Sequence, residues 1–129
     1  MTRRVFRCYL GTGGKDVIDG WYEAQEERLQ AKFDTRMRFL RQQPRASWVR
    51  PYFDTLGGAC AGLGEMRFEY KNVQYRVIGF ASGEMEYTWL FVALEKGGKF
   101  VPRDTCTMAQ QRKAEVMADR GRAHGCEFD

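Results

Sequence analysis

Two arginines, Arg67 in EMRFEY and Arg76 in VQYRVIGFA, are the side chains of this sequence best suited to hold an anion. Each sits in a segment that alternates apolar and polar residues, the pattern of a half-buried strand. Met66, Phe68 and Tyr70 fall on one face of the first segment, and Glu65, Arg67 and Glu69 fall on the other. Lys71-Asn72 between the segments reads as a two-residue hairpin loop, because asparagine tolerates a positive φ. Such a loop pairs Tyr70 with Val73, Phe68 with Tyr75 and Arg67 with Arg76, so two guanidinium groups meet across the strands. Like charges directly opposite each other are destabilising by roughly 0.2–1 kcal/mol. Two readings stand. One is a surface charge ladder relieved by Glu65 and Glu69. The other is an anion site, since paired guanidinium groups on a rigid sheet suit bidentate phosphate binding. Lys96, at the end of the next strand, and Lys99 just beyond it add charge on the same edge; Gly97-Gly98 between them either let backbone approach a ligand or turn the chain.

Further basic residues recur upstream. Arg28, Lys32 and Arg36 are spaced by four, which places them on one stripe of a helix. From Arg28 to Arg50 seven basic residues stand against Asp34 alone, although the formal charge of the whole chain is only +4, with a pI near 9.0. The stripe is either a solvated face or a surface for a polyanion. Other chemistries find less support. The single histidine, His124, lies near the C-terminus and reads as a solvent-exposed tail residue, and neither a zinc site nor a histidine-dependent triad is expected. Cys8, Cys60, Cys106 and Cys126 form no CxxC pair and read as reduced structural thiols. Tyr87, Trp89 and Phe91 read as core residues rather than platforms for bases.

These side chains need a scaffold. A chain of 129 residues is sized for one domain with one core. RVFRCYL (4–10) reads as a strand ended by the GTGG turn. Ile18, Trp21, Leu29, Phe33, Met37 and Leu40 outline the apolar stripe of one long helix over 17–43, capped by Asp16 or Asp19 and stopped at Pro44. SWVRPYFDTL (47–56) reads as a second short helix with Ser47 as cap. The hairpin follows at 65–70 and 73–81. EYTWLFVAL (86–94) is apolar on both faces and reads as a central strand covered on both sides. A last helix runs from Asp104 to about Arg120, with TMAQ (107–110) as a capping box and Gly121 as its stop; residues 122–129 read as a loose tail. The class is α+β: a mainly antiparallel sheet packed by N-terminal helices and a C-terminal helix. No apolar run approaches the ~18 residues of a membrane span and no secretory signal is evident, so a cytoplasmic protein is expected.

GLGEMRFEYKNVQYRVIGF followed by WLFVALEKGGKFVPRD resembles the core of RelE/HigB-type toxins, above all the phage-derived HigB-like branch. Its members run GLxELRFxxxxxxYRIxYF, then an apolar strand ending in paired lysines, then a proline and a helix. The resemblance spans roughly residues 17–120 and implies a small RelE-like domain. It further implies the toxin of a type II toxin–antitoxin pair, a ribosome-dependent mRNA endoribonuclease that needs no metal or other cofactor. Its partners would be a cognate helix-turn-helix antitoxin, the ribosome and mRNA. Carried over by position, the catalytic residues are Arg67, Arg76 and Lys96. The charge pattern adds Lys71, Lys99, Arg28, Lys32 and Arg36 as the expected RNA contacts. The sequence departs from the pattern at Glu95 and at Gly97-Gly98, which separate Lys96 from Lys99. In a metal-free ribonuclease the substrate's 2′-OH attacks, leaving the protein to supply a base, an acid and cations for the phosphorane. Glu65, Glu69, Lys71 and Lys99 are open choices for the base. A ParE-like binding module on the same scaffold, acting on a topoisomerase or another protein without chemistry, is the alternative.

Overall fold

A computed structural model describes residues 4–127. Seven strands and three helices succeed one another as β1 (Val5–Tyr9), α1 (Val17–Glu23), α2 (Glu27–Gln42), β2 (Phe53–Thr55), β3 (Gly64–Tyr70), β4 (Val73–Gly83), β5 (Glu86–Lys96), β6 (Lys99–Val101), α3 (Thr105–Ala118) and β7 (Ala123–Gly125). The strands form one sheet in the order β2-β3-β4-β5-β1-β7, with β6 also paired to β5. Among the described residues only β1 and β5 run parallel. This is the expected α+β architecture.

As its two-faced apolar pattern requires, β5 lies inside the sheet. On one face Tyr87 and Trp89 join Phe6, Phe33, Met37, Leu40, Trp48, Phe53, Met66 and Phe68 under α1 and α2. On the other, Leu90 joins Ile78, Phe80, Ala109 and Val116 under α3. Gly64 and Gly79 face each other across β3 and β4. A Cβ on Gly64 would stand 2.3 Å from the Phe53 ring, and one on Gly79 would stand 2.6 Å from the Thr88 carbonyl. Phe53 and β5 therefore reach the sheet only because these positions lack side chains.

Several local expectations are corrected. The helix over 17–43 is two helices, broken at Ala24 to Glu26, where Glu26 is extended (φ −68°, ψ 157°). Trp21 and Leu29 explain the break: eight residues on a straight helix drift about 80° around its axis, enough to take Trp21 off the stripe. The bend returns it to the core, 5.4 Å from the Phe33 ring. Asp16 caps α1 as expected, accepting from the Asp19 amide at 2.8 Å. Residues 47–56 form no α-helix: Ser47 ends a short 3-10 turn, Arg45–Ser47, instead of starting a helix, and a turn leads on into β2. Trp48 and Phe53 are both buried, and helical spacing would have pointed them apart. No capping box starts at Thr107, because α3 begins at Thr105, whose hydroxyl donates to the Pro102 carbonyl at 2.6 Å.

The largest departure is at the C-terminus. Residues 123–125 are not loose but pair antiparallel with β1, setting His124 opposite Cys8. His124 is only about one-third exposed, and its Nε2 lies 2.6 Å from the Asp16 carboxylate. The cysteines are not reduced. Cys8 is bonded to Cys126 and Cys60 to Cys106, so the fold brings together residues whose spacing gave no sign of pairing. No helix among the described residues is long and apolar enough to cross a membrane.

Candidate functional site

The site is built on the β3–β4 hairpin. Lys71 (φ 50°) and Asn72 (φ 65°) both adopt the left-handed conformation of a two-residue turn, which fixes the register. Tyr70 pairs with Val73, Phe68 with Tyr75 and Arg67 with Arg76, as the sequence predicts. On the core face Phe68 and Tyr75 stack with centroids 5.0 Å apart, and a slip of one residue would expose both.

Arg67 and Arg76 therefore share the opposite face, together with Glu65 on β3 and Glu95 on β5. Arg76 is nearly buried. Its Nε donates to Glu95 Oε1 at 2.8 Å, its Nη1 to the Tyr75 carbonyl at 2.9 Å, and Glu65 Oε2 lies 3.8 Å away. Arg67 pairs with the same Glu65 oxygen. Two carboxylates thus offset the repulsion between two guanidinium groups. Burial pushes the Glu65 carboxyl above its ordinary value, while Arg67 and Arg76 pull it back.

Because β2 pairs only with Gly64–Met66, the rest of the outer edge of β3 has no strand beside it. Here the Arg67 amide donates to the Tyr52 carbonyl at 2.8 Å. Arg36 of α2 donates to the Arg67 carbonyl and lies over the Tyr52 ring, 4.7 Å from its centroid. Burial lowers the pKa of its guanidinium. Lys32, one turn earlier on α2, and Arg50, in the loop before β2, complete a cleft of about 370 Å³ together with Arg67, Arg76 and Glu69. Arg50 is bonded to Asp54 at 2.9 Å.

The fold brings together four of the eight residues marked by the sequence: Arg67, Arg76, Lys32 and Arg36. It leaves the other four outside that cleft. Arg28 is exposed, a further turn back on α2. Lys71 stands at the hairpin tip, 3.3 Å from Glu26. Lys96 pairs with Lys99 across the β5–β6 turn, where Gly97 and Gly98 take positive φ. Strand alternation turns Lys96 to the face opposite Glu95, so Glu95 rather than Lys96 meets Arg76. Arg50 was missed as a site residue, although it closes the basic run that starts at Arg28. Glu95 interrupts an otherwise apolar strand end; it lies opposite Gln74, diagonal to Arg76, and the register shift between Ile78 and Gly79 hides that neighbour from the sequence.

Residues 20–114 match the family model described as Phage derived protein Gp49-like (DUF891). The matched span runs from within α1 to within α3 and contains every residue of the cleft. No curated protein matches the chain.

Proposed function

The chain belongs to the phage-derived Gp49-like family, which is associated with RelE-type, toxin-like proteins, and from that premise we propose that it is the toxin of a type II toxin–antitoxin pair, acting as a ribosome-dependent mRNA endoribonuclease. The observation that carries this reading is the convergence of Lys32, Arg36, Arg50, Arg67 and Arg76 on one cleft beside the outer edge of β3. A phosphodiester chain is a ligand whose repeated charges suit that many cations. In the reaction, Arg67 and Arg76 exchange part of their contact with Glu65 and Glu95 for the non-bridging oxygens of the scissile phosphate, and they stabilise the charge that grows on the phosphorane. Arg36, Lys32 and Arg50 hold the flanking backbone. Among the sequence candidates for the base, Glu69 lines the cleft, Glu65 lies behind the arginines, and Lys71 and Lys99 stand away from it. Lys96, expected to add charge, also stands outside the cleft, and no step is assigned to the three lysines. Attack by the substrate's own 2′-OH leaves a 2′,3′-cyclic phosphate and a 5′-hydroxyl. A helix-turn-helix antitoxin with an acidic segment would be drawn to the same cations.

One observation favours the binding-module reading: Arg76 is only 3% exposed and already paired with carboxylates, as a structural arginine would be. Mapping the 5′ ends of cellular mRNA after induction separates the two. New 5′-hydroxyl ends within translated messages are the expected result. Growth arrest with intact mRNA would leave the nuclease reading without support.

A further inference from the structure

Away from the cleft, two buried side-chain donors among the described residues have no acceptor: Arg4 Nε and Trp89 Nε1. Both belong to one cluster. The Arg4 guanidinium lies 4.9 Å from the centroid of Trp48, and the Trp89 ring stacks near Trp48 at 6.4 Å. Arg45 brings a second guanidinium to the same ring at 5.2 Å, close also to Phe53 (4.7 Å) and Tyr87 (5.9 Å). The Tyr87 hydroxyl has only a 3.5 Å contact, with the Gly79 carbonyl.

The contrast with the hairpin arginines is chemical. Arg67 and Arg76 each meet a carboxylate, whereas no acidic side chain among the described residues forms a salt bridge with Arg4 or Arg45. Arg4 is only 6% exposed, and both burial and the nearby Arg45 disfavour its charge. Stacking on Trp48 offsets part of that cost, but it engages the face of the guanidinium; the N–H donors lie in the plane and still require acceptors. Two positive charges and two unfilled donors around one indole define what is missing: a compact group carrying negative charge and several acceptor atoms. A tetrahedral oxyanion meets this need better than a carboxylate, because its oxygens diverge toward donors on different sides.

We propose that Arg4, Arg45 and the indole N–H of Trp89 form a binding site for a phosphate-type oxyanion, entered past Arg45, the half-buried member of the cluster. The site stands on its own observations, so failure of the nuclease reading would leave it intact, and the reverse also holds. The test is thermal unfolding of the full chain in inorganic phosphate against chloride at matched ionic strength. Phosphate bound to the native state should raise Tm in a saturable way. Arg45→Gln should weaken the apparent phosphate affinity by about tenfold, the size of one lost charge-assisted hydrogen bond. Arg4→Met should raise Tm without phosphate, because a buried unpaired charge is removed, and should abolish the Arg45-dependent part of the phosphate response. Arg76→Lys, in the cleft, should leave that part of the response unchanged. A short RNA then identifies the source: competition with phosphate for the Arg45-dependent shift assigns the site to a phosphodiester, and lack of competition assigns it to a free oxyanion. No stabilisation beyond that of chloride would overturn the proposal, as would an apparent phosphate affinity that Arg45→Gln leaves unchanged or an Arg45-dependent shift that is lost in Arg76→Lys.

Discussion

At the β3–β4 end of the sheet, a two-residue turn joins strands that are immediate neighbours in sequence, and the paired charges come from β3, β4, β5 and the nearby α2. At the β1–β7 end, the strands come from opposite ends of the chain, and Cys8 meets Cys126 across 118 positions. The first end gathers charge where β3 runs on past its partner β2 and its Arg67 backbone is held by Tyr52 and Arg36. The second closes the sheet with a covalent bond, and both of its cysteines lie outside the span that matches the family. Under the proposed function the two ends do different work: the hairpin end holds the candidate ligand-binding cations on locally determined geometry, while the terminal end joins the sheet's far strands by a covalent bond. Changes at one end should therefore leave the property of the other intact.

The largest effect is expected from opening the terminal end. Replacing Cys8 and Cys126 together by alanine removes a link whose loop entropy corresponds to about 4–5 kcal/mol for a loop of order 100 residues. Urea unfolding with the Cys60–Cys106 bond kept oxidised should show a lower midpoint, while RNA binding measured well below the transition should be unchanged. An unaltered midpoint would mean that β7 adds little to the fold and would break the comparison.

A change at the hairpin end should do the reverse. Arg76→Lys keeps a cation between Glu65 and Glu95 but loses the planar fork that grips two phosphate oxygens. Cleavage should fall by about 10²-fold, the lower end of the ~10²–10³ range for one lost transition-state donor. Stability should change little. Arg76→Ala is a poorer probe, because it strips a buried carboxylate cluster of a cation and mixes a folding cost with the catalytic one. Equal turnover by Arg76→Lys and the parent protein would move the chemistry away from this pair.

A smaller effect separates binding from chemistry. Lys32→Gln and Arg36→Gln each remove one cation from the cleft wall without touching the arginine pair's carboxylates. Each should reduce the slope of log affinity for RNA against log salt by about 0.7, the single-strand value per phosphate contact. An unchanged slope would return Lys32 to the solvated-face reading and leave Arg36 as a structural link between α2 and β3.

What the sequence revealed follows the same division. The Arg67–Arg76 pairing was legible because a turn, a strict alternation and a stacked Phe68–Tyr75 pair all act within a short stretch. The covered strand β5 was legible because burial on both faces leaves an unbroken apolar run. The disulfides were not: nothing local links Cys8 to Cys126 until β7 is known, and a three-residue strand carries too little pattern to be read. Lys96 was misplaced relative to the arginines because family position ignores strand parity, and one residue along β5 changes the face.

The smallest effect concerns Glu65, the carboxylate between the two arginines. Its folded-state pKa is raised by burial, against the attraction of Arg67 and Arg76 and with the added repulsion of Glu95. A carboxyl raised in this way binds more protons folded than unfolded between its unfolded value, about 4.3, and its folded value. Over that window it favours the native state at the acid end, and this contribution is lost as pH rises. Glu65→Gln keeps an acceptor for Arg67 but cannot ionise. The stability of the parent relative to this variant should therefore decline as pH rises from about 4.3 and level off above the folded pKa, as measured by urea unfolding at a series of pH values. A relative stability that climbs with pH would mean that the arginines outweigh burial. Glu65 would then be an ordinary ion-pair partner, and the two guanidinium groups would be less available to a phosphate.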